Sequence, residues 1–414
     1  MRATKLALLA ALAKLSAGTY VLKDDYQPSN FFDDFEFFDG ADPSNGYVTY
    51  LDKASAQKAG LASNENNYVY LAVEHEKKAS GRGRESVRLE TKKTYKHGLI
   101  VADISHMPGG ICGTWPAFWA TGAKWPDDGE LDIIEGVNRQ VKNVVALHTT
   151  AGCKIVDNKQ YSGELVTKDC DVRSPTQPGN QGCLFRAPTS SSYGPAFNDV
   201  GGGVYATEWT SNSISVWYFP RYQIPSDINS EHPDPSKWAR PIAHFTGCEF
   251  DKFFQEQRII FNTALCGDWA KNTWNEGGCS DKARTCEDYV KNNPQAFVEA
   301  YWSINYMKVF QSEQPTEPTA TYPDSSPTDL PTGTSTNSYP AYPTDASTCT
   351  PPPTQSCVTY TTKTTIAVVL TAPESDKEAT LPTPTEPAEY PTKDEYATYK
   401  RRQHINEHVA GAHH

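Results

Sequence analysis

The chain has 414 residues, a formal net charge of −12 and a pI near 5.4. Nucleic-acid binding relies on Lys and Arg that neutralise phosphates, so this excess of acid argues against a nucleic-acid partner. No stretch after the N-terminal region approaches the ~20 apolar residues of a membrane span. Aromatic residues make up 11% of the chain, more than a core alone needs, and such side chains are natural partners of sugar rings and apolar pockets.

The N-terminus has the pattern of a signal peptide, which we place at residues 1–17. A positively charged start, Arg2 and Lys5, precedes the apolar run 6–13, and small residues at 16–18 offer a cleavage site. We therefore expect a secreted, extracellular protein.

Residues 20–310 are predicted to form one all-β domain. Short runs rich in Val, Ile, Tyr, Trp and Thr alternate with clusters of Gly, Pro, Asn and Asp, which is typical of a sandwich or barrel. We expect two antiparallel sheets packed face to face. Strands are predicted at 68–73, 144–149, 204–209 (the first strand of a hairpin), 214–219, 258–263 and 301–310, with a short helix at 288–294.

Three carboxylates, Glu130, Asp132 and Glu135, lie in a segment that otherwise has the composition of a buried strand. Core strands rarely carry charge unless it is paired or functional. Because strand side chains alternate, Glu130 and Asp132 share a face while Glu135 should point the other way. One extra residue, a β-bulge at Ile133-Ile134, would return Glu135 to that face. The sequence therefore predicts a row of carboxylates on one concave surface.

Such a row suits glycoside hydrolysis. One carboxylate attacks the anomeric carbon, and the other protonates the leaving oxygen and later deprotonates water. Retention of configuration requires the two carboxyls to be about 5–5.5 Å apart, so the long Glu side chains should lean together over the shorter Asp132. Close like charges also separate the pKa values and keep one group protonated. A surface-exposed acidic strand face is the alternative.

Two adjacent segments, GTWPAFW at 113–119 and ELDIIE at 130–135, together resemble the active-site strands of fungal laminarinase-type enzymes of glycoside hydrolase family 16. The resemblance implies a β-jelly-roll with a concave substrate cleft and retaining endo-hydrolysis of β-1,3 and mixed β-1,3/1,4 glucans. The likeness extends to residues 81–88, 147–149, 203–209 and 266–270.

By position, the resemblance gives Glu130 the role of nucleophile, Glu135 that of general acid/base and Asp132 that of an assisting acid that tunes both by hydrogen bonding. His148, on the next predicted strand, matches a cleft histidine that hydrogen-bonds near the reacting sugar. A satisfied core histidine is the alternative for His148. No metal or cofactor site is evident from residue spacing, so none is predicted.

The remaining predicted site residues are substrate contacts. Trp115, Trp119 and Trp125 resemble sugar platforms, although at least one is expected to be core because buried Trp is common. Arg88 resembles a cleft arginine that contacts sugar hydroxyls, with a solvated strand charge as the alternative. Trp274 follows a Cys-Gly-Asp-Trp motif and is predicted to close one end of the cleft.

Residues 311–414 are rich in Thr, Ser, Pro and Glu, which predicts a disordered tail. We interpret it as an O-glycosylated stalk that could associate with the cell wall, with a bare flexible tail as the alternative. The chain has ten cysteines without CxxC or zinc-type spacing, which behind a signal peptide predicts disulfides. Cys349 and Cys357 should pair within the tail, and the pairing of the other eight stays open.

Two other functions fit parts of the pattern. A wall transglycosylase would use the same carboxylates and pass the glycosyl group to another sugar, but the usual wall transglycosylases resemble a shorter ExDxE form. A glucan-binding or structural wall protein would have a cleft that only binds, although related binding proteins typically lack the Glu pair. The retaining glucanase is the favoured reading, and a monomer is expected.

Overall fold

The computed structural model describes residues 20–312. The predicted signal peptide, nearly all of the predicted tail and the Cys349–Cys357 pair lie outside the described residues. The last strand continues to Ser312, two residues past the predicted domain end. Within residues 20–312, no helix is both long and apolar enough to cross a membrane.

Strands account for most of the regular structure. They are β1 (Tyr20–Tyr26), β2 (Phe35–Phe37), β3 (Val48–Tyr50), β4 (Ala62–Ser63), β5 (Val69–Ala72), β6 (Arg84–Ser86), β7 (Arg88–Thr91), β8 (Gly98–His106), β9 (Thr114–Gly122), β10 (Glu130–Glu135), β11 (Val144–His148), β12 (Glu164–Thr167), β13 (Cys183–Arg186), β14 (Gly203–Trp209), β15 (Ser213–Pro220), β16 (Ala243–Thr246), β17 (Gln257–Leu265) and β18 (Tyr301–Ser312).

The helices are short. They are α1 (Phe31–Asp34), α2 (Lys53–Lys58), α3 (Gly194–Asp199), α4 (Phe250–Phe253), α5 (Gly267–Asn272) and α6 (Cys286–Asn292). Single 3₁₀ turns lie at Ser190–Ser192, Arg221–Gln223, Pro235–Lys237 and Pro294–Phe297. The predicted helix near 288–294 corresponds to α6, and the predicted strands and hairpin are all present, with ends within two residues of those expected.

Two eight-stranded antiparallel sheets face each other, so the predicted sandwich is confirmed. The first has the order β16-β15-β14-β8-β18-β5-β4, with β1 also paired to β18. The second has the order β12-β13-β11-β10-β9-β17-β7-β2. A small parallel pair, β3 with β6, stands apart. The carboxylate strand β10 is therefore central in the second sheet, held by β9 and β11.

The main core fills the space between the sheets. On β10 it receives Leu131, Ile133 and Ile134, and on the facing β8 it receives Ala102 and Ile104. Apolar side chains at these positions are buried because sheet-on-sheet packing removes one face of each sheet from water. The opposite face of the second sheet is left free to carry polar side chains.

Four disulfides cross-link the described residues, so the predicted use of these cysteines as disulfides is confirmed. The pairs are Cys112–Cys279, Cys153–Cys248, Cys170–Cys183 and Cys266–Cys286. The first and last belong to a second apolar cluster that packs around α6. Cys266 directly precedes α5, so the bridge to Cys286 fixes the start of that helix.

Replacing Cys266 and Cys286 together by Ser is expected to lower the free energy of unfolding by about 3 kcal/mol, because the bridge closes a loop with a sequence separation of 20. Denaturant unfolding of the double variant and wild type under non-reducing conditions measures the difference. A loss under about 1 kcal/mol would mean that the loop is already constrained without the bridge.

Candidate active site

The cleft lies on the face of the second sheet that points away from the core. On β9, Trp115, Ala117 and Trp119 line the cleft while Phe118 and Ala120 enter the core. The same alternation holds on β7, β11 and β17. The cleft has two halves of about 560 and 520 Å³, and the two glutamates of β10 border both.

The bulge predicted in β10 is present. Between Asp132 and Glu135 the chain takes three steps while the paired strand β11 takes two. Ile133 and Ile134 consequently both enter the core. Glu135 returns to the cleft face, which it shares with Glu130 and Asp132. One inserted residue therefore places all three carboxyls on a single surface.

His148 lies beside two of these carboxyls. It pairs with Glu130 across β10 and β11, and its Nε2 atom is 3.3 Å from Asp132 Oδ2 and 4.0 Å from Glu130 Oε1. The ring is 7% exposed and lines the cleft. The position is therefore that of a buried cleft histidine whose partner is a carboxyl group.

Burial raises the pKa of each of the three carboxyls to about 8. For both glutamates the second cause is the negative charge of Asp132, and the nearby His148 lowers the pKa. Close carboxyls in a desolvated site cannot all ionise together, so they hold at least one proton near neutral pH. The cluster can thus supply a proton and a carboxylate within one small volume.

Aromatic side chains hold the glutamates in place. Trp115 donates its indole N–H to Glu135 Oε1 over 2.8 Å, and a hydrogen bond from Trp125 lowers the pKa of Glu130 against the effect of burial. Trp119 donates instead to Asn262 Oδ1 over 2.8 Å.

All three predicted tryptophans, Trp115, Trp119 and Trp125, line the cleft. The expectation that at least one of them is core is therefore wrong. Trp115 and Trp119 are partly exposed and Trp125 is 48% exposed. Side chains alternate along β9, so Trp115 and Trp119 both point into the cleft while Phe118 between them enters the core.

Arg88 also lines the cleft, but it is held by protein groups. Its guanidinium lies 4.7 Å from the Phe38 ring centroid and 5.1 Å from that of Trp119. Nη2 is 2.8 Å from Glu90 Oε1, and the residue is 7% exposed. The alternative of a solvated strand charge is therefore wrong.

Trp274 requires a correction, because the structure places it in the core and not at the end of the cleft. It is 4% exposed and belongs to the second apolar cluster. Its indole N–H donates to the Ala283 carbonyl over 3.0 Å, so its polar atom is satisfied internally. Trp269, five residues earlier, lines the cleft instead and makes an edge contact with Trp115 at 5.8 Å.

Sequence reasoning missed several cleft residues. Asn262, Asp268, Trp269 and Asn180 all line it. Asp268 and Trp269 lie in the Cys-Gly-Asp-Trp motif itself, so the motif marks the cleft, and its own tryptophan lines the cleft in place of the predicted Trp274. Asn262 follows the run Arg258 to Phe261 without a local pattern that marks it.

Glu130, Asp132 and His148 offer three ligand-type atoms within 4.8 Å of one another, so these side chains could together hold a metal ion. The sequence prediction of no metal site did not anticipate this grouping. A metal there would occupy Glu130, one of the two carboxyls that border both halves of the cleft.

Two carboxyl side chains at the centre of a two-sided cleft are the arrangement that glycoside hydrolysis requires. Residues 35–310 match the family described as XgeA-like, catalytic GH16 domain. The chain therefore belongs to glycoside hydrolase family 16, and the resemblance found in the sequence is confirmed.

Proteins with similar sequences carry glucanase names. An endo-1,3(4)-β-glucanase of Arthroderma benhamiae is 58% identical over 323 residues, which cover 77% of this chain and 71% of the relative. Against several Aspergillus relatives with similar names, the chain spans only about half of their length, from 42% to 56%.

Solved structures agree with this assignment. Laminarinase 16A from Phanerochaete chrysosporium, with 6-O-glucosyl-laminaritriose in both donor and acceptor sites, is 41% identical with a TM-score of 0.67. An elongating GH family 16 β-1,3-glucosyltransferase is 42% identical with a TM-score of 0.66. Each similarity covers 71% of this chain and 100% of the other.

The raised carboxyl pKa values predict how stability changes with pH. Folding raises the pKa of Glu135 from 4.5 to about 8, so the folded protein holds a proton that the unfolded chain releases. The associated stability is fully present below pH 4.5 and is lost as the pH rises toward 8. Replacing Glu135 by Gln removes this ionisation, so E135Q should melt above wild type at pH 8. Calorimetry across this range should show the difference shrinking toward pH 4.5, whereas a constant difference would contradict the explanation.

Proposed function

We propose that this protein is a retaining endo-β-glucanase that cleaves β-1,3 and mixed β-1,3/1,4 linkages in glucans. The observation that carries the proposal is the placement of Glu130 and Glu135 on one face, at the junction of the two halves of the cleft. A polymer that continues into both halves presents an internal bond to these carboxyls, which fits endo cleavage.

In the first step Glu130 acts as the nucleophile. Its carboxylate attacks the anomeric carbon, and the bond to the leaving-group oxygen breaks as Glu135 donates a proton to that oxygen. The products of this step are a covalent glycosyl ester on Glu130 and a shortened glucan. Trp115, which donates to Glu135 Oε1, would leave the other carboxyl oxygen to carry the transferred proton.

In the second step the roles reverse. Glu135, now ionised, takes a proton from water, and the resulting oxygen attacks the anomeric carbon and breaks the ester to Glu130. Two inversions at the same carbon give overall retention. The raised pKa of Glu135 suits a group that must hold a proton in one step and accept one in the next.

Asp132 and His148 support the pair of glutamates. The charge of Asp132 raises the pKa of both, which helps keep Glu135 protonated before the first step. His148 lies 3.3 Å from Asp132 Oδ2 and 4.0 Å from Glu130 Oε1, and it lowers the pKa of Glu130, which favours the ionised nucleophile.

The cleft walls supply sugar contacts. Trp115, Trp119 and Trp125 offer apolar surfaces against which sugar rings can stack. Arg88 and Asn262 add donors on the same wall. Trp274, being core, has no part in substrate binding.

A glucan transglycosylase is the second candidate. The specific observation in its favour is that the β-1,3-glucosyltransferase and the laminarinase are equally similar to this chain, at 42% and 41% identity. Both reactions share the glycosyl ester, and they differ only in whether water or a sugar hydroxyl attacks it.

We also propose that the protein is secreted and acts outside the cell as a monomer. Four disulfides among residues 112–286 require an oxidising compartment to form. The Thr/Ser/Pro-rich tail, as a glycosylated stalk, would keep the enzyme near the wall glucan on which it acts.

The proposed reaction is tested by digestion of laminarin, barley mixed-linkage glucan and cellulose with the purified protein, following products by size and by NMR. We expect internal cleavage of the first two with β-anomers formed first. α-Anomers as the first products, before mutarotation, would exclude the retaining mechanism, and no release of reducing ends from any polymer would exclude a hydrolase.

Replacing Glu130 by Gln is expected to lower kcat on laminarin by about 10⁴-fold or more, because the nucleophile is lost, while the affinity for laminarin stays near that of wild type. Isothermal titration measures the affinity. If kcat/KM and the affinity for laminarin fell by the same factor in this variant, Glu130 would only hold substrate. Wild-type protein that binds laminarin without cleaving it would favour the binding-protein hypothesis.

A further inference from the structure

Asn143 lies directly before β11, and its side chain is fully buried. The amide oxygen accepts a hydrogen bond from the Glu135 backbone N–H over 2.9 Å. The amide nitrogen donates to the Ile133 carbonyl over 2.8 Å. One side chain thus bonds to backbone groups on both sides of Ile134, within the bulge.

These two backbone groups need a partner from outside the regular ladder. In an unbroken antiparallel pair, the neighbouring strand would bond to both. The bulge shifts the register between Asp132 and Glu135, so the alignment with β11 is lost there. A buried N–H or carbonyl without a partner costs free energy. An asparagine amide carries a donor and an acceptor together, so it can replace both missing bonds.

Asn143 is itself rigidly held. Its backbone N–H donates to Ser192 Oγ over 3.1 Å, and its carbonyl accepts from the Ala187 N–H over 2.9 Å. Ser192 Oγ in turn donates to the Thr189 carbonyl, and the Tyr205 hydroxyl donates to the Ser192 carbonyl. The position of the amide is therefore fixed by a 3₁₀ turn and by the first sheet.

We propose that Asn143 is a positioning residue that sets the direction of the Glu135 side chain and so serves proton transfer to the leaving oxygen. The inference rests on the proposed role of Glu135 as acid/base. Asn143 lines neither half of the cleft, so it acts through the backbone of Glu135 and not on the sugar. A displaced carboxyl can no longer meet the glycosidic oxygen at hydrogen-bond distance.

The test compares two substrates, of which only one needs a proton on its leaving group. Cleavage of laminarin requires protonation of a sugar oxygen, whereas dinitrophenyl β-laminaribioside releases a stable phenolate without it. For Asn143→Ala we expect kcat/KM on laminarin to fall about 10²-fold, and kcat/KM on the aryl glycoside to fall less than about tenfold. A merely structural defect would reduce both by the same factor.

Two controls frame this result. Glu135→Ala removes the acid itself and should show the same dependence on the leaving group, in stronger form. Asn138→Ala removes a second fully buried amide that also bridges two backbone groups, the Gly113 N–H at 2.9 Å and the Ala270 carbonyl at 2.8 Å. This matched variant should lose stability without any dependence on the leaving group.

Asn143→Asp serves if the alanine variant does not fold. It keeps the shape and the acceptor for Glu135 N–H but loses the donor to the Ile133 carbonyl, so the same leaving-group dependence is expected. Equal losses on both substrates in a folded Asn143 variant, with Glu135→Ala still dependent on the leaving group, would overturn the positioning role alone. Wild-type protein that cleaves neither substrate would instead overturn the proposed function.

Discussion

The central constraint of the structure is that one strand must fill a core and carry a charged site. Strand β10 sends three apolar side chains between the sheets and three carboxyls into the cleft. Strict alternation cannot place Glu130, Asp132 and Glu135 on one face, so the strand needs an extra residue. The carboxyls then lie against a packed sheet, largely removed from water, and this desolvation raises their pKa values.

The hydrogen bonds among the side chains of the cleft wall follow from the same constraint. A buried polar atom near a desolvated carboxyl cluster costs free energy unless it has a partner, and on the cleft wall three such side chains are linked to one another or to a carboxyl by hydrogen bonds. Trp115 donates to Glu135, Trp119 donates to Asn262, and Asn262 donates to the Tyr50 hydroxyl. These bonds fix the rings before substrate arrives, so little conformational entropy remains to be lost when a sugar stacks on them.

Local patterns in the sequence predicted the features that follow from the alternation of side chains along a strand. The bulge in β10 could be predicted because acidic and apolar residues do not alternate regularly over positions 130–135: two apolar residues, Ile133 and Ile134, separate Asp132 from Glu135. The errors concern contacts between distant segments. Trp274 and Trp269 share one short region, and nothing local shows which indole faces the cleft. Asn143 was not singled out either, because its role depends on a bulge eight residues earlier and on a turn near residue 190.

Strands and loops form different parts of the site, and this difference bears on the choice between hydrolysis and transfer. Both reactions need the same carboxyls, and these are fixed by β10 and its neighbours. The half of the cleft that contains His148 is bounded by the loop 178–181 and by α5, which holds Trp269. Each of these segments starts or ends close to a disulfide, Cys170–Cys183 for the loop and Cys266–Cys286 for the helix. In the proposed mechanism, these cross-linked walls would decide whether water or a sugar reaches the glycosyl ester, since the carboxyls of β10 are common to both reactions.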